Sequence, residues 1–103
     1  MITTHVLDIS RGRPAAGVHV TLERGGGGWE VVGISQTDAD GRTSFADQLQ
    51  KGLYRLTFDT ALYFGGSPFF PAATIVFEMS DPSQKVHVPL LASPYAYSTY
   101  RGS

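Results

Sequence analysis

Hydrophobic and polar residues alternate with a period of two along most of this 103-residue chain, and turn residues interrupt the alternation about every ten positions. Val18, Val20 and Leu22, for example, are separated from one another by polar residues. Such alternation is typical of strands with one buried and one solvated face, joined by Gly, Pro and Asp turns. The pattern predicts a single all-β domain over residues 1–103, a two-sheet antiparallel sandwich with one short helix at residues 60–64. The eight predicted strands are residues 4–9, 17–23, 29–37, 43–45, 53–59, 75–80, 85–91 and 95–101.

The second faces of the predicted strands are of two kinds. Around His19, Thr57 and Glu78 the second face is largely polar, as expected for a sheet face in contact with water. On the first, seventh and eighth predicted strands, apolar residues such as Leu7 and Leu91 occur on both faces. We therefore expect a second subunit to cover the sheet that holds the amino- and carboxy-terminal strands. The alternative is a scatter of surface hydrophobic residues, which is common on monomers.

Charge and composition exclude several classes of protein. A formal net charge of -1 gives no electrostatic footprint for nucleic acid or an anionic membrane. No apolar run approaches the ~18 residues that span a bilayer. The absence of cysteine excludes a disulfide scaffold, a thiolate metal site and a catalytic thiol. The first residues lack the basic and apolar segments of a secretory signal, and no peroxisomal tripeptide ends the chain, so we expect a cytoplasmic protein.

Three histidines are the candidate acid–base groups. His19 alternates with core valines and is predicted to be a solvated surface residue. His5 and His87 lie on strands whose second faces are predicted to be covered, where a histidine with a near-neutral pKa can act as a general base or acid. Taken singly, each is more often structural than catalytic. A zinc site needs three or four converging ligands, and no third histidine shares their face, so we predict no metal. The chain has no G-x-S-x-G motif for an acyl-enzyme, and no lysine follows the glycine run Gly25–Gly28 to make a phosphate loop.

Six short motifs occur in a fixed order from one end of the chain to the other. Each is weak alone, but the complete set, with a tetrapeptide at the extreme carboxy terminus, is highly specific. On these motifs the chain resembles the 5-hydroxyisourate hydrolase family, the transthyretin-related enzymes of urate breakdown. The motifs are Thr4–Asp8, Gly12–Gly17, Thr37–Arg42, Phe69–Pro71, His87–Leu91 and Tyr100–Ser103.

The resemblance implies a fold, an assembly and an activity. The fold would be a transthyretin-like sandwich of eight strands with one short helix, and the assembly a homotetramer whose central channel holds the sites. The activity would be hydrolysis of 5-hydroxyisourate to 2-oxo-4-hydroxy-4-carboxy-5-ureidoimidazoline, without cofactor or metal. Histidine would activate water and return a proton, and arginine would stabilise the oxyanion. The implied catalytic residues are His5, Arg42, His87 and Ser103, and the implied substrate-binding residues are Tyr100, Arg101 and Gly102.

Two rival interpretations remain open at this stage. One is a transthyretin-like tetramer that carries a small aromatic ligand in its channel without converting it. The other is an immunoglobulin-like interaction module that uses its tyrosine-rich last strand for recognition. A carrier needs none of His5, His87 and Arg42. An interaction module would be a monomer without pocket histidines.

Overall fold

The computed structural model describes residues 1–46 and 48–103, and these residues form nine strands and one short helix. Seven of the strands correspond closely to predicted ones, so the period-two alternation did indicate the all-β class. No helix in the described residues is long and apolar enough to cross a membrane. The elements are β1 (Ile2–Asp8), β2 (Arg13–Pro14), β3 (His19–Gly25), β4 (Trp29–Gln36), β5 (Arg42–Phe45), β6 (Gly52–Phe58), α1 (Thr60–Phe64), β7 (Ala73–Met79), β8 (Val86–Ser93) and β9 (Ala96–Thr99).

Two sheets pack face to face, as the sequence predicts. The first sheet has the order β2-β1-β8-β9, and β5 also pairs with β1. The second sheet has the order β4-β3-β6-β7 and is antiparallel throughout. Within the first sheet, β1 and β8 run parallel to each other, and the remaining pairs are antiparallel. The parallel pair joins the two ends of the chain at the centre of that sheet.

The core lies between the two sheets and is built from alternate residues of their strands. Val20, Leu22 and Leu56 of the second sheet are at most 1% exposed, and Leu90 of the first sheet is fully buried. The largest buried side chain is Tyr54, whose hydroxyl accepts a hydrogen bond from the backbone N–H of Gln50. Burying these side chains is the main stabilising contribution, about 25 cal/mol for each Å² of apolar surface removed from water. The complementary residues of each strand are left on the two outer faces.

The strand count and the last strand differ from the prediction. The additional strand is β2, two residues that pair with the end of β1; a two-residue segment is too short to show a period of two. The final predicted strand, residues 95–101, is shorter in the structure, where β9 ends at Thr99. The chain then leaves the ladder and returns to β8 at Gly102 through a single bridge to His87.

A buried carboxylate joins α1 to the first sheet. Asp8 is fully buried at the end of β1 and accepts hydrogen bonds from Ser10, from the backbone N–H of Arg11 and from the Tyr63 hydroxyl. Burial by itself raises the pKa of Asp8, but these hydrogen bonds to the ionised form outweigh it and lower the pKa overall. The Asp59 carboxylate caps α1 by accepting the Leu62 N–H at 3.0 Å. Asp8 therefore faces the interior, away from the outer face of its strand.

Candidate active site

Strand register places the two candidate histidines and the candidate arginine on one face. His5 on β1 is the direct partner of Arg42 on the antiparallel strand β5. On the other side of β1, Thr3 is the partner of His87 on the parallel strand β8. Directly paired residues project to the same face of a sheet, and so do residues two apart on one strand. Thr3, His5, Arg42 and His87 therefore share the outer face of the first sheet, so the structure brings together the two histidines and the arginine that the resemblance selects.

A shallow pocket of about 210 Å³ opens at this end of the outer face. His5 lies beside the pocket, opposite Arg42, and is half-buried. The pocket is polar, with hydroxyl, carboxylate, guanidinium, ammonium and imidazole groups around it. Its lining includes Thr3, Asp38, Arg42, Ser44, Lys85 and His87.

A tight turn fixes the position of Arg42. The carboxylate of Asp38 accepts the backbone N–H groups of Asp40 and Arg42, both at 2.9 Å. Gly41 has a φ of 77°, which favours glycine, and its carbonyl accepts the Val6 N–H of β1 at 2.7 Å. The hydrogen bond from the Arg42 backbone is the largest cause of the lowered pKa of Asp38, and the positive charges of Arg42 and His5 add to it. The turn thus holds Arg42 beside β1 and places a carboxylate near His5.

His87 is a half-buried imidazole surrounded by positive charge. Its Nδ1 lies 2.7 Å from the Oγ1 of Thr3. Burial is the largest cause that lowers its pKa, and the charges of Lys85, Arg42 and His5 lower it further, whereas a hydrogen bond with the backbone of Thr3 opposes the shift. With a pKa below the ordinary value of about 6.5, His87 is predominantly neutral at neutral pH. A neutral imidazole can accept a proton and can therefore act as a general base.

The carboxy-terminal tail reaches His87 through a glycine. The Gly102 N–H donates to the His87 carbonyl at 2.8 Å. A Cβ atom at Gly102 would lie 2.5 Å from His87 Cδ2 and 3.1 Å from Pro89 Cγ, closer than packed carbon atoms approach. Only glycine lets the tail pass this close to the imidazole. The exposed terminal residue, Ser103, follows directly.

Tyr100 and Arg101 border a different cavity from the one beside His87. This groove, of about 250 Å³, lies between the two sheets, where Ile75 of β7 faces Val88 of β8. Within one protomer the structure therefore brings Gly102 to His87 and places Tyr100 and Arg101 along the neighbouring groove. Their predicted contact with substrate stays a prediction.

Thr3, Asp38 and Lys85 are among the pocket residues that sequence reasoning did not identify as site residues. Thr3 lies two positions before His5 and Lys85 two positions before His87, so a period of two places each on the face of its histidine. Asp38 opens the turn that ends at Arg42. The alternation alone could have indicated Thr3 and Lys85. Threonine is a common strand residue and lysine a common surface residue, so neither signals a site by its type.

No group of three or more histidine, aspartate or glutamate side chains within residues 1–46 and 48–103 is arranged to hold a metal ion. The ionisable groups of the pocket lining are the imidazole of His87, the guanidinium of Arg42, the ammonium of Lys85 and the carboxylate of Asp38, and the imidazole of His5 lies beside them. Such a set suits proton transfer and the binding of an oxygen-rich, electron-rich molecule.

The model of the HIUase/Transthyretin family matches residues 2–102. The chain belongs to this family. It is 52% identical over 121 residues to the uric acid degradation bifunctional protein TTL of Arabidopsis thaliana, a match that covers 99% of this chain and 37% of that protein. The chain thus spans little more than a third of that relative.

Two solved structures show the two branches of the family. The 5-hydroxyisourate hydrolase of Klebsiella pneumoniae superposes with a TM-score of 0.87 at 41% identity, over 99% of this chain and 98% of that one. Sea bream transthyretin in complex with thyroxine superposes with a TM-score of 0.90 at 30% identity, over 98% of this chain and 93% of that one. The backbone superposes on both with similar TM-scores, which confirms the transthyretin-like sandwich. The higher full-length identity to a hydrolase confirms the expected place in the hydrolase branch and identifies the chain as an enzyme.

Proposed function

We propose that this protein hydrolyses 5-hydroxyisourate in urate degradation, with His5, Arg42 and His87 as its catalytic residues. The observation that carries the proposal is their convergence on one face: His5 is opposite Arg42, and His87 on the neighbouring parallel strand is level with Thr3, two residues before His5. The names of the hydrolase and urate-degradation relatives support the substrate. The product would be 2-oxo-4-hydroxy-4-carboxy-5-ureidoimidazoline.

The reaction needs a water molecule, a base and an acid. The substrate is a planar bicyclic lactam, and its ring amide opens when the water oxygen bonds to the carbonyl carbon and the carbon–nitrogen bond breaks. One imidazole takes a proton from the water, and a proton returns to the leaving nitrogen. Histidine suits both steps because its pKa lies near ambient pH. The lowered pKa of His87, caused first by burial and then by neighbouring positive charges, favours its neutral form as the base.

Arginine supplies the positive charge that the tetrahedral intermediate needs. The guanidinium is planar, permanently charged and carries forked N–H donors, so it matches a flat carbonyl edge and a developing oxyanion. In the described residues no carboxylate forms an ion pair with the Arg42 side chain, and the Asp38 carboxylate accepts the backbone N–H of Arg42. The guanidinium is therefore available to a ligand. We assign no cofactor or metal to the reaction.

The tail would complete the site in a homotetramer. Exposed aromatic side chains support an assembly that covers the first sheet and its edge: Phe69, Tyr95 and Tyr100 are 70%, 77% and 60% exposed. In the tetramer, Ser103 would act at the site with the tail backbone, and Tyr100, Arg101 and Gly102 would bind substrate from across a subunit interface. Mass photometry tests the assembly, since a monomer at assay concentration would contradict it. A cytoplasmic location stays a prediction.

A carrier function is the second candidate, favoured by the comparable structural likeness to transthyretin. A channel that only binds an aromatic ligand has no need of a neutral histidine and an arginine on one face. The polar lining of the pocket, with Asp38, Lys85 and His87 around it, therefore argues for the enzyme.

A direct assay decides between the two candidates. Urate oxidase generates 5-hydroxyisourate in the cuvette, and its ultraviolet decay is followed with and without this protein. We expect the decay to accelerate in proportion to protein concentration. A decay equal to the spontaneous one would leave the carrier as the better interpretation.

A further inference from the structure

The imidazole of His87 is held along two of its edges. On one edge, the Oγ1 of Thr3 lies 2.7 Å from Nδ1, across 84 residues of sequence. On the other edge, Gly102 packs so closely that an added Cβ would lie 2.5 Å from Cδ2 and 3.2 Å from Cγ. These two contacts leave the Cε1–Nε2 side of the ring for the pocket that Thr3 and His87 line.

The parallel pairing of β1 with β8 produces this contact. Thr3 and His87 are register partners, so their side chains leave the sheet at the same level and on the same face. Both are half-buried, and the Thr3 hydroxyl makes no other side-chain hydrogen bond among the described residues. The hydroxyl is therefore committed to the imidazole.

Thr3 also influences which nitrogen of His87 carries the proton. A hydroxyl can either donate to or accept from Nδ1, so Oγ1 alone leaves the tautomer open. The backbone of Thr3 also favours the protonated ring, because its effect on the pKa of His87 is upward, against that of burial. If the Thr3 hydroxyl accepts from a protonated Nδ1, the lone pair lies on Nε2, on the pocket side of the ring.

We infer that Thr3 is a positioning residue for His87. The Thr3 hydroxyl holds Nδ1–H, so that Nε2 faces the pocket as the proton acceptor for the attacking water. This inference rests on the proposed hydrolase function. In this arrangement a proton leaves water for Nε2, the water oxygen bonds to the ring carbonyl, and Nδ1 keeps its proton throughout. His5, opposite Arg42, is then the group placed to return a proton to the leaving nitrogen.

Imidazole nitrogen NMR tests the tautomer without any activity measurement. With ¹⁵N-labelled histidine, at a pH where His87 is neutral, we expect the wild-type His87 signals to show protonated Nδ1 and unprotonated Nε2. In Thr3→Val, which keeps the shape but removes the hydroxyl, the signals should move toward the Nε2–H tautomer. The exposed His19 is the internal reference and should not change. A wild-type His87 protonated on Nε2 would overturn the inference.

Kinetics separate positioning from a merely structural role. Thr3→Val should lower kcat about tenfold, the equivalent of one hydrogen bond at the reacting group, with KM changed less than about twofold. Thr3→Ser keeps the hydroxyl and should restore most of kcat. Thr21→Val, the same change at a half-buried position of the second sheet, should leave both constants unchanged. Equal kcat in the wild type and Thr3→Val would overturn the inference. If the wild type itself proved inactive, the proposed function would fail, while the NMR experiment would still decide whether Thr3 holds Nδ1–H.

Discussion

The outer faces of both sheets carry arginine and histidine, but the surroundings of these side chains differ between the two faces. On the second sheet, the Arg55 guanidinium donates to both carboxylate oxygens of Glu23, at 2.9 and 3.0 Å, and lies 4.4 Å from the ring centroid of Trp29. His19 on that face is exposed, and its Nε2 lies 2.8 Å from the side-chain nitrogen of Gln36. Arginine and histidine there have polar or aromatic partners, as on an ordinary protein surface.

On the first sheet, one arginine and two histidines are gathered together, and no carboxylate among residues 1–46 and 48–103 forms an ion pair with the Arg42 side chain. His5, Arg42 and His87 lie within two residue positions of one another in the ladder. Burial lowers the pKa of His87 most, and the positive charges of Lys85, Arg42 and His5 lower it further. Assembling like charges opposes folding, whereas an ion pair such as that of Arg55 does not. The comparison shows that the environment, and not the residue type, separates a reactive surface from an inert one. An arrangement that is unfavourable for stability is expected where function requires it.

The largest expected effect is the loss of a site histidine. His5→Ala and His87→Ala should each lower turnover by at least about 100-fold, because each removes a general acid or base. His19→Ala is the matched control on the second sheet and should leave turnover unchanged. The measurement is the ultraviolet decay of enzymatically generated 5-hydroxyisourate. Equal losses in all three variants would show that the two faces do not differ in function.

The sequence predicts this contrast only in part. Alternation identifies which residues of a strand share a face, and the resemblance selected His5, Arg42 and His87 from many polar residues. Neither reveals that β1 runs parallel to β8, because that pairing joins residues about 84 positions apart and depends on the packing of the whole sandwich. The contact between Thr3 and His87 follows from that register. Local sequence patterns therefore could not predict this contact.

The close passage of the tail beside His87 gives the next largest effect. In Gly102→Ala, either the imidazole or the tail must shift, because the new Cβ would lie 2.5 Å from Cδ2. We expect kcat/KM to fall about tenfold, since small displacements of a catalytic group are costly. Gly25→Ala on the second sheet is the control: its Cβ would meet its nearest atoms at 3.3 Å, and turnover should be unchanged.

Removal of the tail tests the same point without a steric change. Deleting Gly102 and Ser103 should impair turnover more than it impairs the stability of the proposed homotetramer, since the described hydrogen bond from this dipeptide is the one from the Gly102 N–H to the backbone carbonyl of His87. Turnover and thermal unfolding are measured on the same preparation at one protomer concentration. Full activity without the two residues would remove the tail from the site.

A charge change at the pocket rim gives a smaller effect that depends on pH. Burial lowers the pKa of His87 most, and the charges of Lys85, Arg42 and His5 add to it. The active base is neutral, so activity should be highest above this pKa and fall as the pH drops through it. Lys85→Gln removes one positive charge, which raises the pKa of His87 and moves the acidic limb to higher pH. We expect a two- to threefold loss on that limb, because an exposed charge contributes at most about 1 kcal/mol in water.

Lys51→Gln is the matched control for that experiment. It removes the other lysine of the chain, whose described influence is on the pKa of Asp81 rather than on His87. The full pH profile of kcat/KM should coincide with that of the wild type. An identical shift in both variants would indicate that net charge, and not the field at His87, sets the acidic limb.

The smallest effect is expected where the second sheet already satisfies its charges. Arg55→Met removes the ion pair with Glu23 and the contact with Trp29 but keeps a long apolar side chain. The free energy of unfolding in urea should fall by about 1 kcal/mol or less, and by less still at high salt, because the pair is partly exposed and screened. Turnover should not change. A loss of turnover comparable to that of Gly102→Ala would mean that the second face supports the reaction through the core. The two faces would then differ in the contacts of their side chains and not in function.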